Sequence, residues 1–271
     1  MTESNLPDID TTRPSAARMY DYYLGGFHNF EVDRQAAESV LKVYPQVRDA
    51  AVANRAFMRR AVRFMVSQGI DQFLDLGSGI PTAGNVHEIA QAINPDARVV
   101  YVDIDPVAVA HGQAILEDNE NATVIQADAR NVESIINHPD AQRLLDFTKP
   151  IGILAIAFLH FIEDEGVQKI LSAMHSLAVS GSYLAITHSS DGEEFGPEAQ
   201  RVIRMVQEIY AKSQNPLFFR KLSAIEAMFN GWRLVEPGLV TLPLWRPDDE
   251  ESLEEEVQRA SGWYGGVAVK P

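Results

Sequence analysis

The sequence predicts an α/β fold, a mostly parallel sheet wound with helices on both faces, and three observations carry that expectation. From residue 72 onward, short apolar runs alternate with helical stretches, which is the pattern of a parallel sheet covered on both sides. One run, Ile151-Gly-Ile-Leu-Ala-Ile-Ala-Phe158, is almost wholly apolar, as a central strand must be. Another, Gln72-Phe-Leu-Asp-Leu-Gly-Ser-Gly-Ile80, runs through an acid straight into two glycines, the signature of a strand entering a tight loop against a ligand.

Three helices are expected first. One covers 13–24, opened by Pro14 and Ser15 and stopped by Gly25-Gly26. A second runs 32–44 and ends before Pro45. The third, 46–68, carries Val47, Ala50, Ala51, Phe57, Met58, Ala61, Phe64 and Met65 on one stripe and stops at Gly69. Strands are then expected at 72–76, 98–103, 122–127, 151–158 and 182–187. Helices lie between them at 84–93, 106–117, 131–145 (broken near Pro139) and 164–178. After Ser190 the alternation changes to helices at 197–212 and 223–229 and strands at 232–235 and 266–269.

A chain of 271 residues, 46% of them apolar, suffices for one large α/β domain with an appendage or for two small domains. No segment approaches the ~18 uninterrupted apolar residues of a membrane span. The first residues lack a basic and an apolar region, so no secretory signal is expected and the cytoplasm is the expected compartment. With no cysteine there is no disulfide, zinc–thiolate site or cysteine nucleophile. A net charge of −15 repels phosphate backbones, which disfavours nucleic acid as partner and favours a small molecule. Lys42, Arg48, Arg55, Arg59, Arg60 and Arg63 cluster in sequence and read as a solvated helix face. The seven carboxylates between Asp248 and Glu256 read as a solvated loop and helix start.

The glycine loop carries the chemistry. Gly77 and Gly79 can take positive φ and leave room for a ligand against the backbone. The next strand ends in Asp103, 24 positions after Gly79, where a carboxylate can accept hydrogen bonds from two ribose hydroxyls. Together these make a nucleoside-binding unit. A dinucleotide fingerprint would want a third glycine where Thr82 stands, behind Pro81, and no phosphate-binding G-x-x-x-x-G-K loop is present.

Asp75-Leu-Gly-Ser-Gly79 followed by Tyr101-Val-Asp-Ile-Asp-Pro106 resembles the first two motifs of class I S-adenosylmethionine-dependent methyltransferases. The resemblance extends to the N-terminal blocks, Thr11 to Gly26, Asn29 to Arg34 and Ala53-Asn-Arg-Ala-Phe-Met-Arg-Arg60. These are similar to a bacterial, largely actinomycete, family of S-adenosyl methyltransferases that was formerly a domain of unknown function.

The resemblance implies a Rossmann-like seven-stranded sheet of the class I methyltransferase kind. It implies an N-terminal helical cap over 1–70 and a cofactor-binding core over 71–271 with a helical insertion at about 191–230. It implies S-adenosyl-L-methionine as cofactor, with S-adenosyl-L-homocysteine as product, and it names no acceptor. Two other readings stand beside it: a non-catalytic protein that binds S-adenosylmethionine or its product, and an NAD-dependent oxidoreductase.

On this resemblance Gly77, Ser78 and Gly79 lie under the methionine part of the cofactor, and Ile104 packs on the adenine. Asp128, with the neighbouring N–H of Ala129, receives the adenine amino group or caps the following helix. Asp75 pairs with the ammonium or orients the loop. Asp105 reads as the N-cap of the helix opening at Pro106. Ala157 and Phe158 stand where sulfonium and acceptor meet, and an aromatic face there stabilises a cation. His160 is either a base for a protonated acceptor or a buried structural histidine; His188 is the weaker candidate. Arg18 and Tyr22, one turn apart, are expected to face the site. No His/Asp/Glu cluster has metal-ligand spacing, so no metal is expected, and oligomeric state is not readable.

Overall fold

The computed structural model describes residues 10–81, 84–248 and 262–271. Five strands, β1 (Gln72–Leu76), β2 (Arg98–Asp103), β3 (Ala122–Gln126), β4 (Gly152–Ala155) and β5 (Tyr183–Ser189), run parallel in the order 3-2-1-4-5. On the far side β8 (Trp263–Val269) lies antiparallel to β5, and both β6 (Arg233–Leu234) and β7 (Val240–Thr241) pair with β8. The strand order reverses between β1 and β4. A ligand crevice opens at such a reversal, outside the carboxyl ends of the strands.

Helices α1 (Ala16–Tyr23), α2 (Glu31–Val43) and α3 (Val47–Ser67) precede the sheet. Between the parallel strands come α4 (Val86–Gln91), α5 (Pro106–Ile115), the short pair α6 (Val132–Ile136) and α7 (Pro139–Leu144), and α8 (Asp164–Leu177). Two more, α9 (Pro197–Tyr210) and α10 (Leu222–Ala227), follow β5. The alternation of the strands sorts the core into two layers. Phe73, Val99, Tyr101 and Leu154 meet α3 and α4 on one face. Leu74, Leu76, Val100, Val102 and Ile153 meet α6, α7 and α8 on the other.

A third apolar cluster lies off the sheet. Met19 and Tyr23 of α1, Ala37 and Val40 of α2 and the start of α3 pack with Val206 and Tyr210 of α9. The segment after β5 thus joins the N-terminal helices at the carboxyl end of the sheet.

Several expected boundaries move, for identifiable reasons. β4 ends at Ala155 instead of 158, because the chain turns out of the sheet at Ala157, which has φ 51°. The sheet has eight strands because β7, two residues long, adds to the seven expected. β8 begins at Trp263 rather than 266, pairing with β5 as far as Ser189. The stretch expected as helix from 84 contains only the six-residue α4.

The basic cluster is not one solvated face. Arg60 is buried and donates to the carbonyls of Trp245 (2.8 Å) and Leu242 (2.7 Å), while Arg59 stays exposed. Arg55 donates to the Gly84 carbonyl, and Arg63 pairs with Asp248. Of the acidic run from Asp248, residues 249–256 lie outside those described, as does Thr82. Among the described residues no helix is long and apolar enough to cross a membrane.

The Arg60 bonds hold Trp245 in place, fully buried, edge-on to Phe57 at 5.3 Å and Phe64 at 5.8 Å. Trp245→Ala is expected to cost about 3–5 kcal/mol, as large-to-small changes at filled aromatic sites do. Urea denaturation followed by circular dichroism checks this; a loss under about 1 kcal/mol would mean the site collapses around the cavity.

Candidate functional site

The ends of β1 to β4 surround a cavity of about 320 Å³, roofed by Ser15, Ala16, Ala17 and Tyr20 of the N-terminal segment. The glycine loop forms one wall. Gly77 and Gly79 have φ of 67° and 66°, and the N–H groups of Gly77 and Ser78 both donate to the Val102 carbonyl. An added carbon at Gly77 would collide with the ring of Phe158, so the loop and Phe158 are packed directly against each other. At Gly79 it would meet nothing within 4 Å among the described residues.

Asp103 stands across from the loop. It accepts the Gly79 N–H at 2.7 Å and the Asp105 N–H at 2.8 Å, one on each oxygen. Each oxygen keeps a further lone pair for a ligand. Burial, only partly offset by those backbone bonds, pushes its pKa up to about 6. Asp75, also buried, lines the same cavity, and burial pushes its pKa up to about 7, with Arg55 opposing and Asp103 adding to the rise. Asp105 caps α5 by accepting the Val107 N–H.

Ile104, Asp128, Ala129, Ala157 and Phe158 line the cavity as well. Ile104 is 54% exposed, an apolar side chain left uncovered at the cavity mouth. Asp128 does not cap the next helix; Asn131 does. Instead the Asp128 carboxylate receives the Arg130 guanidinium, with Nε at 3.0 Å and Nη2 at 2.7 Å, which lowers its pKa.

Two expected placements differ. Arg18 does not line the cavity: its guanidinium is taken up by Asp33 at 2.8 Å, Asp105 at 3.6 Å and the carbonyls of Asp10 and Arg13. Tyr22 points away, bonded to Glu38 and under the Arg48 guanidinium. Helical geometry explains the second miss, since Tyr20 and Tyr22 lie on different faces of α1 and only Tyr20 faces the cavity.

His160 lines a second cavity of about 300 Å³ that shares Ala16, Tyr20 and Phe161 with the first. Burial, with His188 and Arg220 nearby, holds its pKa well below the ordinary value. His188 is structural, bonded through Nδ1 to the Ser189 carbonyl and through Nε2 to Arg220.

A polar chain that sequence reasoning did not single out ties these parts together. Asn54 donates to the Tyr20 hydroxyl at 2.8 Å and accepts from Thr187 at 2.7 Å; Thr187 in turn accepts the Ala157 N–H at 2.7 Å. The available signal was Asn54 itself, a polar residue inside the third helix that the structure buries to 1% exposure. Among the described residues no group of three or more His, Asp or Glu side chains is placed to hold a metal ion.

The strand order, the glycine loop and the acid ending β2 define a class I methyltransferase fold. A sequence profile described as S-adenosyl methyltransferase matches residues 2–271, and the chain belongs to that family. A Thermobifida fusca protein, provisionally named a methyltransferase in its crystal structure, is 39% identical, with TM-score 0.90 over 99% of both chains. A Streptomyces avermitilis protein of the DUF574 family is 35% identical, with TM-score 0.88 over 97% of this chain and 99% of that one. A mycolic acid cyclopropane synthase crystallised with S-adenosylhomocysteine shares the fold at 15% identity, with TM-score 0.51 over 76% of this chain and 81% of its own. Among curated proteins none matches significantly. The cofactor of the family is S-adenosylmethionine, and the residues present fit it: an open glycine loop, two acids and a bare apolar side chain face one cavity.

The Gly77–Phe158 contact is testable. Gly77→Ala adds a clash with the ring to the strain of a positive φ, and is expected to destabilise by about 2–4 kcal/mol in total. Phe158→Ala in the same chain should return the clash part and leave the φ part. Equal denaturation midpoints for Gly77→Ala with and without Phe158 would refute the contact.

Proposed function

We propose that the protein transfers a methyl group from S-adenosylmethionine to an oxygen, nitrogen or carbon of a small molecule in the bacterial cytoplasm. In this reading residues 1–70 act as a cap and 71–271 as the core, with 191–230 as its insertion. The observation that carries the reading is Asp103, fixed by two backbone N–H groups opposite an open glycine loop, with lone pairs left for two ribose hydroxyls. S-adenosylmethionine, when bound, supplies an electrophilic methyl group on a positively charged sulfur.

The chain's own residues hold and shield. Gly77, Ser78 and Gly79 give backbone surface for the methionine part. Asp75 pairs with its ammonium, and Ile104 covers the adenine. Ala129 offers its N–H, and Asp128 shares its carboxylate between Arg130 and the adenine amino group. Ala157 and Phe158 line the methyl end, and α1 excludes water from above. Such a transfer needs alignment above all, and a base only where the acceptor is protonated. The acidic chain and the small, roofed cavity support a small molecule over nucleic acid.

Calorimetric titration with S-adenosylmethionine, S-adenosylhomocysteine and NAD tests the reading. The first two are expected to bind, and Asp103→Ala to weaken both by about tenfold or more, since each bond to a charged acceptor is worth about 1.5–3 kcal/mol. Binding indifferent to Asp103, or a preference for NAD, would sink the assignment.

The raised pKa of Asp75 gives a second test. In the free protein the carboxyl stays protonated up to about pH 7, so folding stability from this group falls as pH rises from 3.8 towards 7. A bound ammonium needs the carboxylate, so cofactor affinity changes in the opposite sense. It is expected to weaken by up to about tenfold per unit as pH falls below 7, with Asp75→Asn flattening that slope. A slope identical in the variant would remove Asp75 from the site.

A further inference from the structure

We infer that the second cavity is the methyl-acceptor site, and that it takes a neutral, flat, largely apolar molecule carrying one O–H or N–H group directed to His160. The inference rests on the reading of the first cavity as the cofactor site, because the two share a wall.

Position is the first argument. The segment leaving β4 lines both cavities in turn, with Phe158 on the cofactor side, His160 on the other, and Phe161 facing both. Ala16 and Tyr20 complete the shared wall. A nucleophile lying against that wall stands beside the segment proposed for the methyl end.

The lining is the second argument. Among the described residues no Asp, Glu, Lys or Arg lines this cavity, although the chain carries 23 basic and 38 acidic residues. An ionised ligand entering it would lose its hydration and gain no countercharge. Aromatic rings, among them Tyr44, Phe195 and Trp263, instead offer flat apolar faces.

The third argument is an unanswered polar group. Most polar side chains on the wall are already engaged. The Tyr20 hydroxyl is bonded to Asn54 and Ala51, those of Tyr23 and Tyr210 lie 3.3 Å apart, and Ser190 donates to Glu194. His160 is only 2% exposed, yet its Nδ1 has no hydrogen-bond partner among the described residues. A buried polar atom left in that state costs stability unless something else satisfies it. The ring is held neutral by its surroundings, so it carries one N–H and one lone pair, and the hydroxyl or amine of a ligand can answer either.

The test uses the full chain saturated with S-adenosylhomocysteine and three probes: α-naphthol, naphthalene and α-naphthoate. Binding is read by calorimetry, independently of turnover. The inference expects α-naphthol to bind, and α-naphthoate to bind at least about tenfold more weakly. Val202→Phe fills the cavity from α9, away from the cofactor residues, and is expected to weaken α-naphthol by about tenfold while leaving S-adenosylhomocysteine affinity unchanged. His160→Phe is expected to erase the preference for α-naphthol over naphthalene.

Failure of α-naphthol to bind, equal binding of the carboxylate, or indifference to Val202→Phe would overturn the inference. Should Val202→Phe prevent folding, seen as lost S-adenosylhomocysteine binding, Ala199→Leu on the same wall carries the same expectation and the same refutation. Failure of the unaltered protein to bind S-adenosylhomocysteine overturns the cofactor reading instead. The probes then address the chamber in the absence of cofactor, where the same comparisons decide.

Discussion

The guanidinium of Arg18 is the fastening on which the arrangement depends. It is 1% exposed and sits between Asp33, which belongs to α2, and Asp105, which follows the end of β2. Both acids have further duties. Asp33 accepts the backbone N–H groups of Ser15 and Phe30, and Asp105 accepts the Ser15 hydroxyl and caps α5. A buried ion cluster of this kind gains little net stability, because desolvation consumes most of its Coulombic attraction. Its effect is on register. With the cluster intact, α1 stops where Ser15, Ala16, Ala17 and Tyr20 come over the ends of the strands.

From that placement the two cavities follow. α2 packs against both α1 and α9, so the helices before the sheet and the helix after β5 form one apolar body. Between this body and the carboxyl ends of the strands two cavities remain. The space left is divided by Tyr20 and Phe161, with acids on one side and, among the described residues, no charged side chain on the other. Tyr20 is held there by a chain of bonds through Asn54 and Thr187 to the backbone of Ala157. The dividing wall and the turn after β4 are therefore joined by side-chain hydrogen bonds.

What the sequence made legible is what is encoded within a few residues. The glycine loop, the acids ending β1 and β2, and the long stripe of α3 each declare themselves locally, and seven of the eight stripe residues are buried. What it hid depends on partners distant in the chain. Arg60 reads like its basic neighbours until Leu242 and Trp245 supply carbonyls to it. Arg18 reads as a residue facing the site until Asp33 and Asp105, from two other parts of the chain, take up its guanidinium. In α1 aromatics crowd several faces, so the choice of Tyr20 over Tyr22 follows only from the position of α3 and the strand ends. The turn at Ala157 is masked by an unbroken apolar run, in which hydropathy carries no mark of where strand pairing stops.

That turn explains why no catalytic residue stands out. A non-glycine residue at φ 51° costs about 1–3 kcal/mol and persists only where its surroundings over-determine it. Here they do: Thr187 bonds its N–H, and Phe158, the next residue, is packed against Gly77. The strain is thus held between the glycine loop on one side and β5 on the other, with the wall residue Tyr20 at the end of the same chain of bonds. In a transfer limited by alignment, the residues that matter are those that fix distances, whether or not they touch the reacting atoms. Asn54 and Thr187 are such residues. Neither carries a charge or a nucleophile, and a search for reactive side chains passes over both.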